Sequence, residues 1–177
     1  MKLADGCILD TSVLLSLYHL KLIEQLKLLY NEVRIPQSVE MEFLNLKYKK
    51  EKEERFYLLN KLYEENAVWF KKCNVYSSDL VEIYRNDKLD KGESEVLAQN
   101  QELGGNYVVL IDEKRARKKA KSINFKLNGT LYILACLDLK IGVCKYEQCV
   151  EELKRENIGR FSDDVIKEVY AKVKEEG

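Results

Sequence analysis

Four short segments carry acids that could act together as metal ligands. Asp10 directly follows the apolar stretch "CIL", and Asp112 follows "VVLI", so each comes at the end of a predicted buried strand. Glu42 in "PQSVEMEF" and Glu93 in "GESEVLA" stand near predicted helix starts. If the strands are parallel, all four carboxylates meet at one edge of the sheet, where they would repel one another unless cations were bound. Oxygen ligands without His or Cys favour Mg²⁺ or Mn²⁺.

Helical spacing distinguishes some of the neighbouring acids. At 100° per residue, Glu93 falls on the apolar face of its helix and Glu95 on the opposite, wetter side. The same argument does not separate Glu40 from Glu42. For any one acid, Asp10 included, the alternative is a helix cap. The case for a ligand therefore depends on several acids sharing one sheet edge.

Strands that alternate with helices must position these acids. The predicted strands are 6–9, 32–36, 67–70 and 108–111, and the predicted helices are 13–30, two between 37 and 65, 78–85, 92–103, 112–122, 129–139 and two in the tail. Continuous apolar strands between helices are typical of a parallel sheet covered on both faces. We expect an α/β fold, a three-layer α/β/α sandwich with a central, mostly parallel twisted sheet and a helical C-terminal tail. Residues 1–145 would form the main domain and residues 146–177 a helical extension packed on it.

Composition excludes several classes of protein. Thirty basic residues balance thirty acidic ones, so global charge gives no argument for nucleic acid binding. Acids interrupt the first apolar run, which is untypical of a signal peptide, and no apolar stretch approaches the length of a membrane span. The five cysteines lack a C-x-x-C pair, which indicates a reduced, cytoplasmic protein. The single histidine, His19, cannot supply a His-rich metal site.

A local basic cluster begins beside Asp112. Its members are Lys114, Arg115, Arg117, Lys118, Lys119, Lys121 and Lys126. Such a cluster could follow a nucleic acid backbone, and the alternative is a solvated helix surface. We expect Lys114, Arg115, Arg117, Lys118 and Lys121 to bind nucleic acid.

The order of these segments resembles the PIN domain, a family of small α/β metal-dependent nucleases. "ILDTSVLL" is similar to the family's opening strand, "IPQSVEMEF" to its second block, "GESEVLA" to its third and "VVLIDEKRARKKA" to its fourth. "NGTLYIL" and "RFSDDVIKEV" are similar to a prokaryotic branch related to VapC-type toxins. The resemblance implies that Asp10, Glu42, Glu93 and Asp112 are the catalytic metal ligands, with Glu95 and Glu113 as less favoured substitutes.

The resemblance implies a Mg²⁺- or Mn²⁺-dependent endoribonuclease, acting as a toxin or in RNA processing. It also implies an RNA substrate, an antitoxin partner for a toxin, and a homodimer. Thr11, Ser12 and Thr130 would support the acidic site, although each is also a candidate helix cap. One alternative is a PIN-like module that binds RNA or protein with little or no catalysis. A haloacid-dehalogenase-like phosphatase is less favoured, because Ser12 stands where that chemistry requires a second Asp.

Overall fold

The core of the molecule is a parallel β-sheet. The computed structural model describes residues 2–46, 51–65, 67–73 and 77–177. Within these residues the strands are β1 (Ala4–Leu9), β2 (Tyr30–Pro36), β3 (Phe70–Cys73), β4 (Val108–Leu110) and β5 (Leu127–Asn128). Their spatial order is β3-β2-β1-β4-β5, and every pairing is parallel.

Helices connect the strands and cover the sheet. They are α1 (Thr11–His19), α2 (Leu26–Leu29), α3 (Gln37–Asn45), α4 (Lys52–Glu65), α5 (Ser78–Asn86), α6 (Lys91–Glu102), α7 (Lys114–Ser122), α8 (Thr130–Cys136), α9 (Tyr146–Arg155) and α10 (Asp163–Glu175). A short 3₁₀ helix (Ile23–Gln25) precedes α2, and a π-helical turn (Leu137–Ile141) follows α8.

Burial on both faces explains why β4 and the carboxyl-terminal half of β1 are continuously apolar. Ile8 and Leu9 of β1, which point to opposite faces, are both fully buried, as are Val109 and Leu110 of β4. Helix α6 contacts β1, β2 and β4, whereas α8 contacts α1, α9 and α10. The predicted α/β/α sandwich is confirmed, and its sheet is wholly rather than mostly parallel.

The last two helices pack against the body of the fold. The Tyr146 hydroxyl at the start of α9 donates to the Ile166 carbonyl of α10 at 2.8 Å. The Tyr132 hydroxyl of α8 donates to Glu176, just after α10, at 2.7 Å. Ser162 caps α10 by accepting from the Val165 N–H. No helix among the described residues is long and apolar enough to cross a membrane.

Several predicted elements are placed differently in the structure. The single helix over 13–30 is wrong: α1 ends at His19, and Lys21 adopts a left-handed conformation at φ 57°. The chain must turn there because β2, which runs parallel to β1, already begins at Tyr30. The third strand lies at Phe70–Cys73 rather than 67–70, and the two-residue β5 was not predicted. Residues 47–50, within the segment predicted to hold two helices, lie outside the described part of the chain.

The strand order creates a ligand-binding edge beside β1. After β1 the chain forms β2, which pairs with one edge of β1, and β4 later pairs with the other edge of β1. In parallel sheets, such a reversal opens a crevice at the carboxyl ends of the strands. The Asp10 N–H donates to the Leu110 carbonyl at 3.0 Å, so the acids that follow β1 and β4 belong to this edge.

Candidate functional site

An acidic cavity lies at the carboxyl end of β1. Its volume is about 520 Å³. The residues that line it are Asp10, Thr11, Ser12, Leu15, Lys88, Asp90, Glu93, Glu113 and Arg115. They come from the end of β1 and the first half of α1, from the segment before α6 and its first turn, and from the start of α7. We use the name acidic cavity for the space that these nine residues line.

Asp10 both caps α1 and belongs to the acidic cavity. Its Oδ2 accepts from the Ser12 hydroxyl at 2.7 Å and from the Ser12 N–H at 3.4 Å. The side chain is only 5% exposed. Burial raises its pKa from 3.8 to about 6, against the lowering effect of the Ser12 hydrogen bond, and the nearby charge of Asp90 raises it further. Cap and acid-site roles are therefore combined in one residue.

Glu42 approaches Asp10 over Gly92. The Thr11 hydroxyl donates to Glu42 Oε2 at 2.6 Å, which links α3 to the start of α1. A Cβ atom on residue 92 would lie 3.1 Å from Glu42 Oε2 and 3.5 Å from Asp10 Oδ1. The absence of a side chain at Gly92 thus leaves room for two carboxylates from different elements. Glu40, the neighbouring acid, instead pairs with Lys72 at 2.9 Å.

Glu93 lies in the cavity as part of a capping box. The Asp90 N–H donates to Glu93 Oε2 at 3.0 Å, and the Glu93 N–H donates to Asp90 Oδ1 at 2.8 Å. Burial raises the pKa of Glu93 to about 7; the hydrogen bond from the Asp90 backbone opposes this, and the charges of Asp90, Asp10 and Glu113 add to it. The charges of three neighbouring acids therefore act on Glu93 in this cavity.

Adjacent residues at the end of β4 face different surroundings. Asp112 accepts from the Thr130 N–H at 2.8 Å and from the Thr130 hydroxyl at 2.6 Å. Burial raises its pKa, while these bonds and the charge of Arg117 lower it. Glu113, and not Asp112, lines the acidic cavity. The structure thus brings Asp10, Glu93 and the predicted substitute Glu113 to one cavity and places Asp112 beside it.

The basic residues of α7 divide between two surfaces. Arg115 lines the acidic cavity, and its Nη1 donates to the Lys88 carbonyl at 2.9 Å. Arg117 donates to the carbonyls of Ile111, at 2.6 Å, and Asn128, at 3.2 Å, and so links the ends of β4 and β5. The other three predicted nucleic-acid contacts, Lys114, Lys118 and Lys121, line a separate groove.

Glu95 is not on a wet face, contrary to the sequence prediction. It is 4% exposed and accepts from the Ser38 N–H at 2.9 Å. Pro36, the N-cap of α3, makes no side-chain cap hydrogen bond, so Glu95 satisfies a backbone donor at the start of α3 from a different helix. Helical spacing failed here because α6 is buried nearly all round, from Gly92 to Asn100.

The carboxylate oxygens at the sheet edge lie farther apart than the ligand atoms of a closed three-ligand metal site. Within the described chain, the group of three ligand atoms lying within 4.8 Å of one another is His19, Glu152 and Glu156. That group lies at the other end of α1, and Arg155 pairs with both of its carboxylates. Wide spacing at the sheet edge is compatible with Mg²⁺, which retains several waters and takes one or two carboxylates directly.

Sequence reasoning missed two charged residues of the acidic cavity, Asp90 and Lys88. Asp90 was identifiable from "DKGE", because Asp at the N-cap and Glu three residues later form the capping-box pattern. Lys88 has no comparable signal in the sequence. Its left-handed backbone, at φ 64°, is part of the turn between α5 and α6.

Comparison with known proteins agrees with this architecture. No curated protein matches the sequence. A family model described as a PIN domain matches residues 6–175, nearly the whole chain. PIN domains are generally nucleases and typically use divalent metals. The chain therefore belongs to the PIN-domain family.

Proposed function

We propose that the protein is a Mg²⁺- or Mn²⁺-dependent endoribonuclease whose reaction takes place at the acidic cavity. The observation that carries this proposal is the meeting of the Asp10 and Glu42 carboxylates over Gly92 beside Glu93. Hydrogen bonds from Ser12 and Thr11 orient the two carboxylates. The donor set fits a hard divalent cation, because it offers carboxylate oxygens from separate elements around a space free of side chains.

Each acid has a specific proposed role. Asp10, Glu42 and Glu93 would hold the cation directly or through water, and Glu113 would act from the same cavity in place of Asp112. Asp112 would then be a positioning residue, because its two bonds from Thr130 join the β4–α7 junction to α8. A bound divalent ion supplies an activated water and stabilises the charge that develops on the phosphodiester.

Cations at the rim of the cavity fit a phosphate-containing substrate. Lys88 and Arg115 line the same cavity as the acids, and both are exposed. Their positive charges would attract a phosphodiester that the acids alone would repel. We propose RNA rather than DNA as the substrate on the basis of the family resemblance. The same resemblance is the basis for proposing membership of the VapC-type branch, an antitoxin partner and a homodimer.

The five cysteines are free, which supports a reducing compartment such as the cytoplasm.

The test is cleavage of labelled single-stranded RNA and DNA by the purified protein with Mg²⁺, Mn²⁺ or EDTA. We expect RNA cleavage that requires a divalent ion and falls at least about 100-fold in Glu42→Gln, since removing even an indirect contact to a metal costs about 10–100-fold. Glu40→Gln is the matched control, because Glu40 lies on the same helix but pairs with Lys72. If the wild type cleaves neither nucleic acid with either metal, the nuclease proposal is wrong and a binding module without catalysis takes its place.

A further inference from the structure

A basic groove runs beside the acidic cavity. It has a volume of about 640 Å³ and lies between α7 and the segment that leads into α10. Lys114, Lys118 and Lys121 recur every three or four residues and so occupy one face of α7. Arg160 and Phe161 form the facing wall. We call the surface formed by these five residues the basic groove.

The cations of the basic groove have no carboxylate partners within the described residues. Lys119, on another face of α7, pairs with Asp87 at 2.7 Å, but no salt bridge within the described chain involves Lys114, Lys118, Lys121 or Arg160. All four side chains belong to exposed residues. Unpaired cations that converge on one groove create a positive potential, which favours a polyanion over a neutral or basic partner.

Phe161 adds a rigid aromatic surface to the basic groove. Gly159 has a φ of +74°, and a Cβ atom there would lie 2.5 Å from the Phe161 ring, so the chain turns tightly beneath the ring. On its inner side the ring borders a small cavity of about 90 Å³ lined by Leu131, Val165 and Val169, among others. The half-buried ring packs against the hydrophobic core while it also lines the groove. An aromatic platform beside a line of cations is the combination that binds single-stranded nucleic acids.

The basic groove and the acidic cavity are neighbours. Asp112 lines the groove, and the next residue, Glu113, lines the cavity. A strand with one phosphodiester at the acids would thus be continuous with nucleotides in the groove. We infer that the basic groove binds single-stranded RNA on one side of the cleaved bond, with phosphates on Lys114, Lys118, Lys121 and Arg160 and a base stacked on Phe161. This inference rests on the proposed function, and the C-terminal helical segment then contributes directly to substrate binding.

The first test measures binding without cleavage. Fluorescence anisotropy of a labelled 12-nucleotide RNA in EDTA gives the Kd of the full chain at several salt concentrations. Replacing Lys118 and Lys121 by Ala together should weaken binding at least about 10-fold at low salt and reduce the salt slope by about 1.4, since each phosphate that a lysine no longer neutralises lowers the slope by about 0.7. Lys167→Ala with Lys174→Ala is the control, because both lysines are exposed on α10 outside the groove. An unchanged slope in the groove variant would overturn the inference.

The second test concerns Phe161. Phe161→Leu should weaken RNA binding about 10-fold, since stacking on an aromatic contributes about 1–3 kcal/mol per base. Phe161→Trp keeps an aromatic ring and should bind RNA as tightly as the wild type. RNA containing 2-aminopurine should lose fluorescence on binding the wild type but not Phe161→Leu. If Phe161→Trp binds as weakly as Phe161→Leu, or if 2-aminopurine fluorescence changes equally in all three proteins, Phe161 has only a packing role and the stacking contact is wrong.

The two proposals fail in different ways. If the wild type cleaves RNA while the groove variants retain its Kd and KM, the nuclease proposal stands and the groove inference is wrong. If the groove variants lose binding but no protein cleaves RNA with either metal, the groove inference stands as a binding site and the nuclease proposal is wrong. If the wild type does not bind single-stranded RNA in EDTA at low salt, the groove inference is wrong, whatever else occupies that surface.

Discussion

Replacing Asp10 by Asn should stabilise the metal-free protein at neutral pH. Burial and the charge of Asp90 raise the pKa of Asp10 from 3.8 to about 6, so its ionised form is disfavoured in the fold. This difference corresponds to about 3 kcal/mol of destabilisation once the group is fully ionised in both states. Asn keeps an oxygen that can accept from Ser12, and it is as good an N-cap as Asp. The substitution therefore removes the charge and leaves the cap.

The sign of the pH dependence follows from the raised pKa. Between about pH 4 and pH 6 the folded protein binds more protons at Asp10 than the unfolded chain, so this residue's contribution to stability is lost as the pH rises through that window. Asp10→Asn should match the wild type near pH 4 and exceed it at pH 8 by up to about 3 kcal/mol. For a chain of this length, that gain corresponds to an increase in Tm of about 6–12 °C.

The assay is urea unfolding and thermal melting of both proteins in EDTA across about pH 3.5–8, a range that includes both pKa values of Asp10. Asp5→Asn is a matched control, because Asp5 is exposed at the opposite end of the same strand and should show no such gain. Added Mn²⁺ should raise the Tm of the wild type more than that of Asp10→Asn, because a ligand stabilises the state that binds it. A stability difference between wild type and Asp10→Asn that does not change with pH, or a variant less stable at pH 8, would refute the electrostatic reasoning.

Three other substitutions test the elements around the site. Gly92→Ala should preserve the fold but weaken Mn²⁺-dependent stabilisation in thermal melts, because the new Cβ would lie 3.1 Å from Glu42 Oε2; an unchanged Mn²⁺ response would contradict this. Glu95→Gln should lower the free energy of unfolding in urea by about 1–2 kcal/mol, because the Ser38 N–H would donate to a neutral amide oxygen instead of a carboxylate; an unchanged free energy of unfolding would show that the charge of this cap is unimportant. Thr130→Val should cost about 1–3 kcal/mol in the same assay, because it removes the hydroxyl donor to the carboxylate at the end of β4, and wild-type stability in this variant would contradict that role.

Much of the sheet edge was predictable because its signals are local. The apolar runs of β1 and β4 each end at an acid, and strand alternation with helices predicts a parallel sheet. The prediction that the acids after β1 and β4 lie at one sheet edge required only that parallel strands share that edge, although Asp112 itself lines the neighbouring groove rather than the acidic cavity. Asp10 and Glu93 could be selected from their positions beside apolar residues, and both lie in the acidic cavity.

The remaining features depend on contacts between distant segments. Glu95 is buried because α6 is enclosed by other elements and its carboxylate meets α3, which helical periodicity alone does not reveal. The different surroundings of Asp112 and Glu113 depend on Thr130, eighteen residues further along the chain from Asp112. β5 is two residues long and is defined by its pairing with β4 rather than by an apolar pattern. Tertiary context decides all three.

The most direct test of the metal-dependent nuclease centre is the rate of single-stranded RNA cleavage as Mn²⁺ is titrated into wild type, Asp10→Asn and Asp5→Asn. We expect saturable Mn²⁺-dependent cleavage by wild type and Asp5→Asn, and a decrease of at least about 100-fold in a folded Asp10→Asn. Cleavage by Asp10→Asn at the wild-type rate, or cleavage by the wild type that persists in EDTA, would contradict a metal-dependent centre at Asp10.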